Sequence, residues 1–166
     1  MPATLNATTP HLAWGDDVAP LLDTLDDAAE AMVARTETWS AINSGSFELA
    51  GLERMRTPLL DACSALPGDL QVVTLQPSQR IKPDGEVAEI HHGASIRLRV
   101  RPEAPIQIAL TGHYDTVFPA VHPFQKPWRE GEALRGPGVA DMKGGINVML
   151  AALQAFERLS GEKRVG

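Results

Sequence analysis

The sequence predicts an α/β fold in which helices pack on a mixed sheet, and two observations predict it. Apolar residues recur every three or four positions near both ends of the chain, which is the spacing of amphipathic helices. Between these segments, apolar and polar residues alternate as they do in strands that have one face in solvent. With 166 residues and 43% hydrophobic content, the chain can bury one core. We therefore expect one domain, or part of one, over residues 1–166.

Helices are predicted in the first part of the chain. One helical pattern runs from Val18 to Val33, and the Asp-Asp pair at 16–17 precedes it, where the helix dipole favours anions. Residues 43–46, Asn-Ser-Gly-Ser, are typical of a turn. A second helical pattern then runs from Leu49 to Leu66, and Pro58 inside it is expected to kink or split the helix.

Strands are predicted in the middle of the chain. Residues 70–75 form one strand, and in residues 95–101 three apolar residues alternate with arginines, so that one face meets solvent. After a short Pro-containing link, residues 106–111 are expected to be an antiparallel neighbour. This arrangement would place His113 at the end of a strand.

A long connection and a final helix follow. Pro and Gly punctuate residues 116–140, and loops of that length without regular structure are usually functional or disordered. Residues 142–159 again have helical spacing, and Ser160-Gly161 is expected to end that helix. Residues 162–166 are typical of the approach to another strand.

Composition excludes several classes of function. The net charge is −6 and no Lys or Arg precedes Arg35, so a surface that binds nucleic acid is not expected. No secretory leader and no run of 18 apolar residues occurs, which predicts a cytoplasmic protein without a membrane segment. Cys63 is the only cysteine, so any metal must be held by His and carboxylates rather than by a cysteine cluster.

His113 and Asp115 are the first candidate site residues. They are two positions apart on extended backbone, so their side chains leave the same face. A metal-binding histidine normally donates its other ring N–H to a carboxylate, and Asp115 is placed to accept it. The pair alone also fits a strand-end His followed by a turn-forming Asp.

Asp141 is the third candidate site residue. It stands just before the last helix, where an Asp is also a favoured N-cap. Gly144 and Gly145 argue for a further role, because each costs about 1 kcal/mol relative to Ala in a helix and indicates close approach of the backbone to a neighbour. A carboxylate on such a turn, near a strand-end His, could bridge two metal ions.

Lys143, Cys63 and the other histidines considered are not expected to belong to the site. His91 and His92 are adjacent, so on a strand they would point to opposite faces and could not share one ion. His122 and Lys143 are expected to be exposed to solvent, and Cys63 is expected to pack in the core.

Two segments together resemble the signatures of one zinc-dependent hydrolase family. They are Gly112-His113-Tyr114-Asp115-Thr116-Val117 and Gly136-Pro137-Gly138-Val139-Ala140-Asp141-Met142-Lys143-Gly144-Gly145. The family includes acetylornithine deacetylase, succinyl-diaminopimelate desuccinylase, aminoacylase and glutamate carboxypeptidase. Together with Pro123-Phe124 and Arg135-Gly136, these segments are most similar in sequence to the glutamate carboxypeptidase branch.

The resemblance implies a centre with two zinc ions, in which His113 ligates one ion and Asp141 bridges both. Asp115 is then the candidate catalytic residue, which orients His113. His and carboxylate ligands also suit cobalt or manganese. The implied substrate is a small peptide or an N-acyl amino acid, whose amide bond is hydrolysed by metal-activated water. A homodimer is one assembly that the resemblance allows for the full-length protein.

The chain departs from the family pattern. In the family, adjacent glutamates follow the bridging aspartate, one as the general base and one as a ligand. This sequence has no Glu-Glu pair and lacks the smaller lid or dimerisation domain. We therefore expect residues 1–166 to be the truncated N-terminal portion of a zinc-exopeptidase-like catalytic domain, inactive alone. The alternatives are a non-catalytic remnant or interaction module of the same fold, and a domain in which Asp141 is only a cap and no metal binds.

Overall fold

The computed structural model describes residues 18–159 and 164–166, and it confirms the α/β class. The described elements are helices α1 (Ala19–Asp27), α2 (Ala29–Ser40), α3 (Leu49–Cys63) and α4 (Gly144–Phe156), and strands β1 (Asp69–Val73), β2 (Ser78–Ile81), β3 (Val87–Ile90), β4 (Ser95–Arg99), β5 (Trp128–Glu130) and β6 (Ala133–Arg135). An irregular turn, Val139–Lys143, leads into α4. Within the described ranges, no helix has the length and apolar content needed to cross a bilayer.

The named strands pair in three antiparallel two-stranded units. β1 pairs with β4, β2 with β3, and β5 with β6. In the β1–β4 pair, Leu70 lies opposite Leu98 and Val72 opposite Ile96, which matches the predicted strand alternation. The β5–β6 hairpin lies inside residues 116–140. That connection was predicted to lack regular structure, and the prediction is wrong for this part of it.

Two helix predictions differ from the structure. The pattern from Val18 to Val33 predicts one helix, whereas the chain forms α1 and α2 with Ala28 between them. Pro58 lies inside α3 without splitting it, because the apolar face of that helix is buried on both sides of the proline. The Asp-Asp pair at 16–17 and the predicted stop at Ser160-Gly161 lie outside the described residues.

Residues 106–111 are not the antiparallel neighbour that was predicted. The N–H groups of Ile106 and Ile108 donate to the carbonyls of Arg164 and Gly166, at 3.2 and 2.8 Å, and Ile106 pairs with Val165 in parallel. A parallel pair requires a crossover connection, and α4 lies on the chain between these two segments. The expected approach to a strand near the last residues is therefore confirmed at Val165.

The core lies where α2, α3 and α4 meet one face of the β1–β4 pair. Its buried members are Trp39, Met55, Leu59, Cys63, Leu66, Ile146 and Leu150. Leu70, Ile96 and Leu98 pack against this cluster from the strands. The buried position of Cys63 confirms its predicted place in the core. Because Ile146 and Leu150 belong to α4, the core holds the helix that begins directly after Asp141 and its turn.

Candidate metal centre

The segment that carries His113 is held by the turn at residues 43–46. Thr116 N–H donates to Ser44 O at 2.8 Å, and Ser46 N–H donates to Thr116 O at 2.9 Å. The Ser44 hydroxyl donates to the carbonyl of Tyr114 at 2.8 Å. These bonds join two segments that are about 70 residues apart in sequence, so the extended backbone on either side of Asp115 has a defined position.

Asp141 lies in the irregular turn before α4. Gly138 has φ of 72°, and a Cβ atom added there would lie 2.9 Å from the Thr116 side chain, so this position requires glycine. A Cβ atom on Gly144 would lie 2.5 Å from the carbonyl oxygen of Val139, which confirms the predicted close approach. Gly145 has no such contact, since its nearest neighbour is the Met142 side chain at 3.6 Å. The peptide bond from Asp141 to Met142 is cis.

The capping alternative for Asp141 is wrong. The N-cap residue of α4 is Lys143, and no side chain caps that end. The Asp141 carboxylate instead contacts the imidazole of His113. Asp141 is 84% exposed at its side chain, so it lies at the surface beside the helix start rather than over its free N–H groups.

The imidazole of His113 lies between two carboxylates. Its Nε2 atom is 2.9 Å from Asp141 Oδ1, and its Nδ1 atom is 3.1 Å from Asp115 Oδ1. The Asp115 carbonyl oxygen is also 3.1 Å from Nδ1. The structure therefore brings together all three site residues that the sequence predicted. The histidine side chain is 47% exposed, so the group is open to solvent and to a ligand.

The charges around His113 favour a cation at this place. Burial of the ring lowers the pKa of His113, but the hydrogen bond with Asp141, the bond with the Asp115 carbonyl and the two carboxylate charges outweigh it, so the pKa is raised. A divalent ion would balance the Asp141 charge and would be bound by the Nε2 lone pair of His113, while Asp115 keeps its bond with Nδ1.

The residues fit part of a metal site. Nε2 and the nearest Asp141 oxygen are close enough to be two ligands of one ion, each at roughly 2.0–2.2 Å from it. In the described part of the chain, no group of three or more His, Cys, Asp or Glu side chains is placed to hold a metal. His113 and Asp141 thus offer two donors where a zinc site normally has three or four protein ligands.

Lys143 is not a solvated lysine as predicted. Its side chain is 0% exposed, and its Nζ atom donates to the carbonyls of Trp39 at 2.9 Å and Ile42 at 3.0 Å. Burial lowers the pKa of Lys143 to about 8. The carbonyls belong to the end of α2 and the residues after it, so Lys143 ties the Asp141 turn to that helix. No local sequence signal indicates this contact, because about a hundred residues separate the partners.

The other histidines that the structure describes, His91, His92 and His122, lie elsewhere. His91 is exposed, 4.0 Å from Glu89, and His92 lies 2.8 Å from the Ser78 hydroxyl. His122 is half-buried rather than exposed as predicted: its ring lies 5.0 Å from that of Phe118, and its Nδ1 atom accepts a hydrogen bond from Phe124 N–H. It therefore supports an aromatic group instead of a metal.

A cavity of about 290 Å³ opens beside His113, and sequence reasoning did not predict its walls. His113, Asp115 and Asp141 line one part, while Phe118 and Phe124 line another. The sequence feature that could have indicated this wall is the presence of two phenylalanines in a proline-rich loop. Apolar side chains in such a loop either pack against the fold or line a binding surface.

The chain is similar to known proteins in part of its sequence and in its fold. Residues 109–165 match the model of Peptidase family M20/M25/M40. No curated protein sequence matches the chain. The structure is similar to the crystal structure of human carnosine dipeptidase 1, with a TM-score of 0.62 and 22% sequence identity. The match covers 82% of this chain and 30% of that chain.

These findings support the family that the two motifs predicted, while the branch within it stays a prediction. At 22% identity the structural match shows a common fold. The chain therefore has the fold of part of a human dipeptidase structure, and the segment that contains His113, Asp115 and Asp141 matches a peptidase family.

Proposed function

We propose that the full protein is a metal-dependent hydrolase of amide bonds in peptides or N-acyl amino acids. One observation carries this proposal: an imidazole is held between two carboxylates on a segment that matches a peptidase family. The similar structure is that of a dipeptidase, which supports peptides as the substrate class.

In this proposal, His113 holds a metal ion through Nε2 and Asp141 holds it through a carboxylate oxygen. By the family resemblance, Asp141 would also be a ligand of a second ion. Zinc bound here would lower the pKa of a bound water and polarise the scissile carbonyl, and cobalt or manganese could replace it.

Asp115 has a separate task in this proposal. Its carboxylate accepts a hydrogen bond from Nδ1–H of His113, which leaves the Nε2 lone pair available and fixes the orientation of the ring. The bond also makes the imidazole a more basic ligand. Asp115 is therefore a positioning residue that acts through His113.

Residues 1–166 are proposed to form the N-terminal portion of a metallohydrolase catalytic domain. The coverage of 30% of the carnosine dipeptidase chain supports this proposal. So does the sequence, which contains no Glu-Glu pair that could supply a general base and a further ligand. We expect no hydrolysis of N-acyl amino acids or dipeptides by the 166-residue chain with added zinc.

Zinc titration tests the metal site directly. Competition with a chromophoric chelator should show weak binding to the wild-type chain, because two ligands form an incomplete site. His113→Ala and Asp141→Asn should each abolish it. His91→Ala is the matched control, since His91 is exposed and its ring lies 4.0 Å from Glu89, and this variant should bind zinc like wild type. Equal binding by the His113→Ala and His91→Ala variants would refute the assignment.

A second candidate function is an interaction module of the same fold. The observation that favours it is an exposed apolar row formed by Ile106, Ile108 and Leu110, which share one side of an extended segment. Sedimentation of the 166-residue chain over a range of concentrations tests it. Association that Ile108→Lys abolishes would favour this function, whereas a monomer at all concentrations would count against it.

A further inference from the structure

We infer that the cavity beside His113 is a subsite for an apolar side chain or acyl group of the substrate. This inference rests on the proposed function, because it assigns the substrate group that lies next to the scissile amide. It concerns a different set of residues from the metal ligands, namely the aromatic wall formed by Phe118 and Phe124.

The aromatic wall is already assembled. The rings of Phe118 and Phe124 lie 4.8 Å apart in an edge-to-face arrangement, and the ring of Trp128 packs against Phe124 at 5.7 Å in the same manner. The Phe124 N–H donates to His122 Nδ1 at 3.0 Å. Because these contacts hold the rings in place, little side-chain freedom would be lost when a ligand binds.

The size and charge of the cavity select the ligand. A volume of about 290 Å³ is at the lower end for small-molecule sites and suits one amino-acid residue or a short acyl group. Two carboxylates line it, and among the described residues no Lys or Arg does. An acidic substrate side chain would therefore be desolvated there without a basic partner, whereas an apolar group would bury its surface on the two rings.

A second cavity of about 280 Å³ continues the apolar surface. It shares Phe124, Gly136 and Ala140 with the first cavity, and Trp128, Leu134 and Val139 extend it. Arg135 also lines this second cavity, but its guanidinium forms an ion pair with Glu130. Phe124 is thus the wall common to both spaces, which makes it the residue to vary.

Two neutral-backbone probes test the subsite: N-acetyl-L-phenylalanine amide and N-acetyl-L-glutamic acid α-amide. Binding to the 166-residue chain is measured by ligand-observed NMR titration in the presence of a chelator. We expect the phenylalanine probe to bind about tenfold more tightly. Phe124→Ala should remove most of that preference, and Phe124→Leu should keep more of it because an apolar wall remains. Phe47→Ala is the control, since Phe47 is exposed and lines neither of these cavities.

The ratio of the two affinities decides the outcome. Equal affinity for the two probes, an unchanged ratio in Phe124→Ala, or no binding of the phenylalanine probe up to about 10 mM would each overturn the subsite. Circular dichroism of each variant verifies that the fold is kept. The result is separable from the metal assignment: loss of zinc binding with a retained apolar preference would contradict the proposed function and leave this binding site in place.

Discussion

His113 Nε2 lies 2.9 Å from Asp141 Oδ1, although the two residues are 28 positions apart and come from different elements. Four hydrogen bonds between the turn at 43–46 and residues 114–116 hold one partner. The packing of α4 in the core holds the other. The contact therefore depends on the tertiary fold. Substitution of the residues that hold the two partners should change metal affinity or the free energy of unfolding.

Asp115→Asn should weaken zinc binding without loss of the fold. The substitution removes the carboxylate that accepts a hydrogen bond from Nδ1–H of His113, and loss of such a partner typically changes metal affinity about 10- to 100-fold. Chelator competition measures the change. Asp61→Asn, at an exposed position on α3, is the control. If both variants bound zinc like the wild type, Asp115 would have no positioning role.

Gly144→Ala should destabilise the chain by about 1–3 kcal/mol. The new Cβ atom would lie 2.5 Å from the carbonyl oxygen of Val139, so the turn that carries Asp141 must shift. Gly145→Ala is the matched control, because its Cβ atom meets only the Met142 side chain at 3.6 Å and helix propensity favours Ala. Urea unfolding should show Gly145→Ala at or above wild-type stability. Equal losses in the two variants would contradict this account.

Lys143→Met should destabilise the chain by about 1–3 kcal/mol. The substitution keeps the length of the buried side chain but removes the donor to the carbonyls of Trp39 and Ile42. The Ile42 carbonyl would then lose its Lys143 donor, whereas the Trp39 carbonyl would keep its bond from Ile42 N–H at 3.1 Å. The exposed Lys126→Met is the control and should unfold like wild type. Stability of Lys143→Met equal to wild type would mean that the buried ammonium contributes nothing net.

The ion pair between Arg101 and Glu157 should make stability depend on pH. Arg101 donates two hydrogen bonds to the Glu157 carboxylate, at 2.6 and 2.7 Å, and this lowers the pKa of Glu157 against the opposing effect of burial. Because the pKa of Glu157 is lower in the folded state, the ion pair stabilises the fold at pH values above the pKa of the unfolded state, near 4.3. That stabilisation is lost as the pH falls through the pKa of the folded state.

Thermal melts of wild type and Glu157→Gln should therefore differ at pH 7 by about 1 kcal/mol, since both side chains are mostly buried. The difference should shrink as the pH is lowered below about 4. Glu132→Gln, at an exposed position, is the control. A difference that stays constant across this pH range would show that packing, rather than charge, explains the effect.

Local pattern was enough to predict several features of this protein. The α/β class, the helical character of residues 49–63 and the strands at 69–73 and 95–99 depend on spacing within each segment, so the sequence determined them. The two motifs with His113, Asp115 and Asp141 were also visible, since each has a distinctive order of residues over a few positions. The match of residues 109–165 to a peptidase family supports their joint interpretation.

Only the tertiary structure decided which distant groups meet. In the structure, Asp141 contacts His113 instead of capping α4. The buried Lys143 donates to a carbonyl at the end of α2, and Ile106 pairs with Val165 in parallel. The tertiary structure also assembled Phe118, His122 and Phe124 into one wall of a cavity. The physical reason is common to all of these. Periodicity and propensity act over a few residues, whereas burial and hydrogen bonding between remote segments depend on how the whole core closes.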